Sequence, residues 1–413
     1  MKKHNLQKLI VAFSAMLWLL VLSCNQIGEG HTERPKKKTD LVFSNEVIEN
    51  FAIIELNQPV QFKMGLQDNK DASIKTSYAI GKHAVTREVW SRVYKWATET
   101  TQKEGMKAYK FSEKANIGDV TSNKTEPIGN VTYLDSVVWC NAFTEYLNYV
   151  HKDDSKWKPL IPVYYEYKNE AREAFEEFLR VKESDRARKY AELLEKWVLR
   201  EAVEPINSKN GMEFNEFYHF NGYRLPTTEE WEFVSRLAKK PLGSYEPSKT
   251  VNIRGNSYYL LKGLCLSGSD YTCNDDSDQA KEANNKVATN FDRLLTGPLP
   301  DSDDPPSVAK KDANAAGCFD MSGGVWEWTL PKEDRHLVLD ATGKKLDDSY
   351  PTFSNIAKGI NRKKGGSYIS RSKEEYAVGF EGAFPMKADD SHKEKWQRKD
   401  IGFRLTKTLQ NFF

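Results

Sequence analysis

The stretch from Lys239 to Ala316 constrains this chain more than any other, because it reads as loop almost throughout. Gly, Asn, Asp, Ser and Pro recur along it, and Asp301, Asp303 and Asp304 form an acidic cluster. Loops that long inside a compact domain are usually functional or disordered segments rather than plain connections. A fold that carries them has to be braced by something other than regular structure. Aromatic side chains supply that brace: they make up 12% of the residues, ten of them tryptophan, in a chain whose mean hydropathy is only −0.68. Each of them buries a large area. No fixed-period repeat is evident, and the net charge of +2 is spread evenly. A nucleic-acid surface needs clustered basic charge, so none is expected.

The N-terminus reads as an export signal. Lys2, Lys3 and Lys8 precede a mostly apolar stretch from Leu9 to Leu22, too short to span a bilayer comfortably. It ends in Val21-Leu22-Ser23-Cys24, which resembles the lipobox of bacterial lipoproteins and implies cleavage after residue 23 and acylation of Cys24. Three acyl chains exceed the two signals that stable anchoring needs. Residues 24–40 are polar, with Gly28, Gly30, Pro35 and Lys36-Lys37-Lys38, and read as a tether that cannot bury enough surface to fold. The expected product is an exported protein, lipid-anchored to the cell envelope, whose folded domain covers residues 41–413.

Within that domain, Phe51 to Leu56 and Val60 to Met64 alternate apolar and polar and are predicted strands. Thr86 is placed to cap a helix carrying Val89, Trp90, Val93 and Trp96-Ala97 on one face. A second helix runs to Tyr149 with Leu134, Val137-Val138, Phe143 and Leu147 as its stripe. Thr227 or Thr228 caps a third, with Glu230 or Glu232 in its first turn and Trp231, Phe233-Val234 and Leu237 inward. Between Pro162-Val163-Tyr164 and Asn221 lies an insertion at about 165–217. Its stretch from Asn169 to Val203 is rich in Glu, Lys, Arg and Ala and predicts a long helix or a helical hairpin packed on the domain.

Of the five cysteines, four remain if Cys24 is acylated, and three pairings are possible. Cys265 and Cys273 flank a short polar loop that a disulfide could close in an oxidising compartment, contributing about 2 kcal/mol. Cys140 lies in an apolar helical run and reads as a small buried hydrophobe. His83, His151, His219 and His336 show no metal-ligand spacing, and no G-x-S-x-G elbow is present.

Four motifs occur in order. They are Phe62-Lys63-Met64-Gly65, Asn221-Gly222-Tyr223-Arg224-Leu225-Pro226-Thr227, Gly317-Cys318-Phe319-Asp320-Met321-Ser322-Gly323-Gly324-Val325-Trp326-Glu327-Trp328, and Lys364-Gly365-Gly366-Ser367-Tyr368 upstream of Ile401-Gly402-Phe403-Arg404. Together, over about Phe51 to Thr406, they resemble the formylglycine-generating enzyme, or sulfatase-modifying factor, family. The resemblance implies an α+β, C-type-lectin-like fold: small twisted antiparallel sheets, flanking helices and many long loops, here with the helical insertion added. It also implies a copper-dependent oxidation of substrate cysteine by two active-site cysteines. One follows the G-G-S-Y segment by two residues and the other lies five further on. Those positions hold Ser370 and Glu375.

Soft thiolates retain Cu(I), whereas a hydroxyl and a carboxylate are hard donors, so copper is not expected here. Nor can they form the thiol–disulfide intermediates of such chemistry. Calcium is a further family feature near the segment holding Glu327; Gly324 replaces an asparagine there, and calcium needs six to eight oxygens. The plainer reading of Val325-Trp326-Glu327-Trp328 is a buried aromatic strand that braces the core. In the family the face beyond the G-G-S-Y segment binds an extended peptide, which makes Ser370, Arg371, Glu375, Trp396 and Arg398 the candidate ligand-binding residues.

The sequence therefore points to an envelope lipoprotein whose domain binds a peptide, protein or glycan rather than oxidising one. The rivals are a true formylglycine-generating oxidase and a structural subunit of an envelope assembly that uses the insertion as its contact. A variable binding protein of the diversity-generating kind ranks below these, because the C-terminal region lacks an asparagine-rich pattern.

Overall fold

The computed structural model describes residues 50–112, 115, 124–164, 174, 177, 189, 192, 195–202, 221–239, 250–289, 291, 305–330, 360–385 and 399–409. The chain divides into two units, Met1–Ser44 and Asn45–Phe413, and every described residue belongs to the second. The predicted signal peptide, Cys24 and the tether lie outside the described residues, as do Trp396, Arg398 and most of the insertion. Among the described residues no helix is long and apolar enough to cross a membrane.

The chain opens with β1 (Phe51–Ile54), β2 (Val60–Met64), β3 (Lys70–Ile74) and β4 (Tyr78–Gly81). β1 stops short of the predicted Leu56 because the Ser77 hydroxyl accepts the Leu56 N–H at 2.9 Å. Helix α1 (Arg87–Lys95) starts where predicted: the Thr86 hydroxyl accepts the Val89 N–H at 3.4 Å, and Trp90 and Val93 face inward. It widens into a π turn at Trp96–Thr100, where the Ala97 carbonyl accepts from the Thr101 hydroxyl at 2.6 Å and the Tyr109 N–H at 3.0 Å. Helix α2 (Tyr133–Val150) opens on a capping box of Thr132 and Asp135.

After β5 (Tyr223–Arg224), a second capping box of Thr227 and Glu230 starts α3 (Thr228–Ser235). The segment predicted as loop then holds more structure than its composition suggests. Just before it comes β6 (Leu237–Ala238), and it contains β7 (Thr250–Ile253), β8 (Asn256–Leu260), which pairs with both β6 and β7, and a helix, α4 (Asp278–Val287). The hairpin turns on Arg254 and Gly255, both at positive φ (51° and 76°), as a two-residue hairpin loop requires. In α4 the buried positions are Ala280, Asn284 and Val287. That spacing is helical, but a polar Asn284 on the inner face hides it from a count of apolar residues.

The remaining strands are β9 (Trp326–Thr329), β10 (Ile360–Lys364), β11 (Gly382–Pro385), β12 (Ile401–Gly402) and β13 (Thr406–Thr408). Two four-stranded sheets result, ordered β1-β4-β13-β5 and β11-β10-β9-β12, beside the β2-β3 ribbon. All pairings are antiparallel except β9 with β12. β10 ends at Lys364, and Gly365 and Gly366 at φ 98° and 71° turn the chain away, so the G-G-S-Y segment lies beyond the strand.

The aromatic brace is present. Trp90 and Trp139 stack at 5.5 Å, Phe143 stacks on Trp139 at 5.2 Å, and Phe403 meets both tryptophans edge-on. Strand β9 is buried at every position, as the bracing-strand reading requires.

Candidate ligand-binding face and its frame

The motifs meet through buried charge. Arg224 and Glu230 form a two-pronged pair at 2.6 and 2.8 Å, while Glu230 also accepts the Thr227 N–H. Two residues on, Glu232 receives Lys364 at 2.8 Å, Arg236 at 2.6 Å and the Gly65 N–H at 2.7 Å. Burial pushes the Glu232 carboxyl up, but Lys364 and Arg236 outweigh it and leave the group below its ordinary value. Glu327 completes the set: Arg404 grips it at 2.6 and 2.7 Å, and the Trp231 indole N–H donates to it at 2.6 Å. Arg404 also donates to the carbonyls of Gly81 and Phe319, so the last motif is tied to the first sheet.

The loop beyond β10 is built differently, from short-range bonds. The Ser370 hydroxyl accepts the Ser367 N–H at 2.9 Å, and the Ser370 N–H returns a bond to the Ser367 carbonyl at 3.0 Å. Ser367 donates its hydroxyl to Asp400 at 2.8 Å, and Tyr376 donates to the Ser367 carbonyl at 3.0 Å. A 3-10 turn at Lys373–Tyr376 brings Glu375 back, and its carboxylate accepts the Arg371 N–H at 3.2 Å. A Cβ on Gly366 would sit 2.8 Å from the Glu375 carbonyl and 3.4 Å from the Ser370 Oγ. Glycine is therefore needed there on space as well as on φ, and Ser370 and Glu375 converge on it.

Of the candidate binding residues, Arg371 is exposed and Glu375 half-buried, whereas Ser370 is buried at 3% exposure. Ser370 is thus an internal brace of the loop and not part of its outer surface. A second loop walls this face, stapled to it by Val378 N–H to the Cys265 carbonyl, Gly379 N–H to the Gly263 carbonyl, and a 2.6 Å Lys373–Asp276 ion pair.

Cys265 and Cys273 are not joined in this structure; with Cys140 and Cys318 they are free and buried. Backbone pairing closes their loop instead. Cys265 lies opposite Thr272 in an antiparallel bridge, so Cys273, the next residue, turns to the other face. Cys265 packs with Ala238 and Leu261, Cys273 with Leu266 and Val287. Burial pushes these thiols up to about 12 and about 11.

A small cleft beside the frame is lined by Ala84, Pro127, Pro306, Val308, Asp320, Gly324, Val325 and Glu327. Glu327 does not fit a calcium ion, since both its oxygens are held by Arg404 and Trp231. Asp320 is different. Its Oδ2 accepts the Ala309 N–H at 2.6 Å, while Oδ1 makes no hydrogen bond among the described residues. Burial holds this carboxyl above its usual range. Sequence reasoning passed over Asp320 although it stands inside a quoted motif. No group of three or more His, Cys, Asp or Glu side chains able to hold a metal occurs among the described residues. His83 is half-buried with its Nδ1 2.9 Å from the Ala84 carbonyl, and His151 stacks on Trp157 at 4.1 Å.

The sulfatase-modifying factor enzyme 1-like domain is matched over residues 56–409, most of the chain. The chain belongs to the sulfatase-modifying factor family. Its α+β fold of small sheets and flanking helices is the one this family implied. No curated protein matches. Solved structures similar to this member include variable protein 1 of Treponema denticola, at 16% identity and TM-score 0.45 over 87% of this chain and 95% of that one. CarF is similar at 19% identity and TM-score 0.45, over 87% and 98%. PvdO from Pseudomonas aeruginosa follows at 13% identity and TM-score 0.37, over 85% and 92%.

Proposed function

We propose that this family member is an envelope lipoprotein, anchored through Cys24, whose domain binds a peptide, protein or glycan and does not oxidise cysteine. The observation that supports this reading most is the use made of residues 370 and 375. Oxidation in the family needs two thiols free to hold copper and exchange disulfides. Here a buried hydroxyl and a carboxylate occupy both positions and hold the backbone of their own loop. Neither is a soft donor, and neither can carry an electron pair through a disulfide. What the loop offers outward is Arg371, beside Lys373 and Glu374 on a surface fixed by the wall that carries Asp276. Binding residues concentrate on loops held by a rigid scaffold.

The test uses the full chain in detergent, loaded with copper and oxygen and given a sulfatase-type cysteine peptide. Mass spectrometry is expected to find the peptide unchanged beside an active control enzyme. Formylglycine in the product sinks the binding reading.

A further inference from the structure

Among the described residues two large apolar side chains are exposed, Met106 at 41% and Val150 at 49%. They lie on two segments that are tied together. Val150 is the last residue of α2, and Met106 follows the π turn and a short helical turn at Thr101–Lys103. Trp96, in the π turn, packs on Tyr146 at 5.6 Å and on Tyr149 at 5.7 Å. The Tyr149 hydroxyl then donates to Glu104 at 2.6 Å, which joins the residue before Val150 to the segment that carries Met106. Gly105, at φ 73°, has nothing within 4 Å of where a Cβ would stand, and the Met106 N–H returns to the Thr101 carbonyl at 2.8 Å. Met106 therefore sits at the tip of a tight, open turn mounted on the buried Trp96.

The surroundings of these two tips are basic and amphipathic. Residues 102–107 and 152–156 are exposed throughout, as is Lys158. Across 102–107 and 150–158 stand Lys103, Lys107, Lys152, Lys156 and Lys158 against Glu104, Asp153 and Asp154. Two of those carboxylates are engaged locally, Glu104 by Tyr149 and Asp154 by the Lys156 N–H at 2.9 Å. Lys152 lies over the Tyr149 ring at 4.4 Å, and Lys107 reaches the Glu195 carbonyl. Trp157 is half-buried against His151, with its indole N–H given to Asn148 at 3.0 Å.

We infer that this is a membrane-contacting face, and that its occupant is the headgroup layer of a bilayer carrying anionic lipid. Its composition separates a lipid surface from a protein one. Lysine, aspartate and glutamate are depleted from protein interfaces, where immobilising long side chains is costly. A fluid headgroup layer immobilises little. It attracts lysine ammoniums to its anionic groups and accepts apolar tips at the acyl boundary. It also suits tyrosine and tryptophan, whose rings are apolar and whose tips are polar. Lysine stems can lie along the apolar tips while their charges stay in water. The inference rests on the envelope reading for a membrane nearby; the face itself does not.

The experiment places a nitrobenzoxadiazole dye at residue 106, through Met106→Cys in the full chain carrying Cys24→Ser, the other cysteines being buried. The labelled chain must melt as the unlabelled one does. It is mixed with vesicles of phosphatidylcholine, alone or with phosphatidylglycerol and a spin-labelled lipid. The apolar stretch from Leu9 to Leu22 can hold the chain on either vesicle, so the dye is read rather than co-sedimentation. On anionic vesicles the emission is expected to shift to the blue and to be quenched at least fivefold more than on neutral ones. The same dye at Ser257→Cys, an exposed position of β8, should stay in water. Changing Lys103, Lys152 and Lys156 together to Glu should abolish the quenching, and raised salt should weaken it. A dye at 106 that stays in water on anionic vesicles overturns the inference, as does quenching indifferent to lipid charge and to the three lysines. A blue shift that needs no vesicles and grows with protein concentration overturns it too, since a second copy then covers the face. The anchoring reading fails separately, if protein recovered from cells carries no acyl group on Cys24 by mass spectrometry; the dye result does not depend on that outcome.

Discussion

The frame around Trp231 and the loop around Ser370 use polar groups in opposite ways. In the frame, the pairs that join separate motifs are distant in sequence and buried: Glu327 with Arg404 and Glu232 with Lys364. In the loop, the bonds made by residues 370 and 375 themselves lie within four residues, Ser370 with Ser367 and Glu375 with Arg371, although Ser367 also reaches Asp400. A long-range buried pair cannot lose one member without stranding the other, so its identity is fixed by the fold. A short-range bond is one of several ways to hold a turn. The frame is therefore the less replaceable of the two, and the loop the more tolerant of exchange.

The largest test of that contrast is Arg404→Met, which leaves Glu327 buried without its cation. Breaking such a pair typically costs about 3–5 kcal/mol, and urea unfolding should show a loss of that order. Removing both charges with Arg404→Met and Glu327→Gln should recover part of it.

Lys407 sharpens the same point, because burial alone lowers its amine to about 8, whereas Glu327 outweighs the burial of Arg404 and raises it. Its Nζ lies 5.6 Å from the Tyr223 ring centroid. The depressed value means the folded state holds the proton less tightly than the unfolded chain, so the cost is complete below about pH 8 and is relieved as pH climbs towards 10.5. Lys407→Met should be more stable at pH 7, by at most about 3 kcal/mol. Thermal melts of the two proteins should converge in alkaline buffer; a constant gap between them refutes this account.

Within the loop, effects should be smaller. Ser370→Ala strands the Ser367 N–H and is expected to cost about 1–2 kcal/mol, read by thermal melting. Glu375→Gln keeps an acceptor for Arg371 and should shift stability by less than ~0.5 kcal/mol. Smallest of all, a reducing agent should leave the melting temperature unchanged, and thiol labelling after denaturation should count Cys140, Cys265, Cys273 and Cys318 as reactive. A protected Cys265–Cys273 pair would falsify the backbone-closed loop.

Much of the frame was legible in the sequence because each piece carries a local signal. Thr86, Thr132 and Thr227 cap helices, and the alternation around Val60–Met64 and the tryptophans of β9 mark buried strands. What was not legible depends on distance. Nothing local tells that Glu232 will meet Lys364, or that Glu327 is committed to Arg404 and so unavailable to calcium. The helix at Asp278–Val287 escaped because one of its three inward positions is an asparagine held by Ser269 and the Thr272 carbonyl. Ser370 escaped for a related reason: a serine just before Arg371 and Ser372 looks exposed until its hydroxyl is seen to face inward. Cys265 and Cys273 have the spacing for a bridge, and only the register at Thr272 reveals that they point apart.

The strand order has a consequence for how such a chain is made. β13, near the end of the polypeptide, lies between β4 and β5, and β12 finishes the edge of the other sheet against β9. Neither sheet can close, and Glu327 cannot find Arg404, until residues beyond 400 have emerged. In a chain threaded from its N-terminus the β2-β3 ribbon and the β6-β8-β7 sheet can form early, while the two four-stranded sheets wait for β12 and β13. β12 and β13 act as the slide of a zip whose teeth were laid down long before.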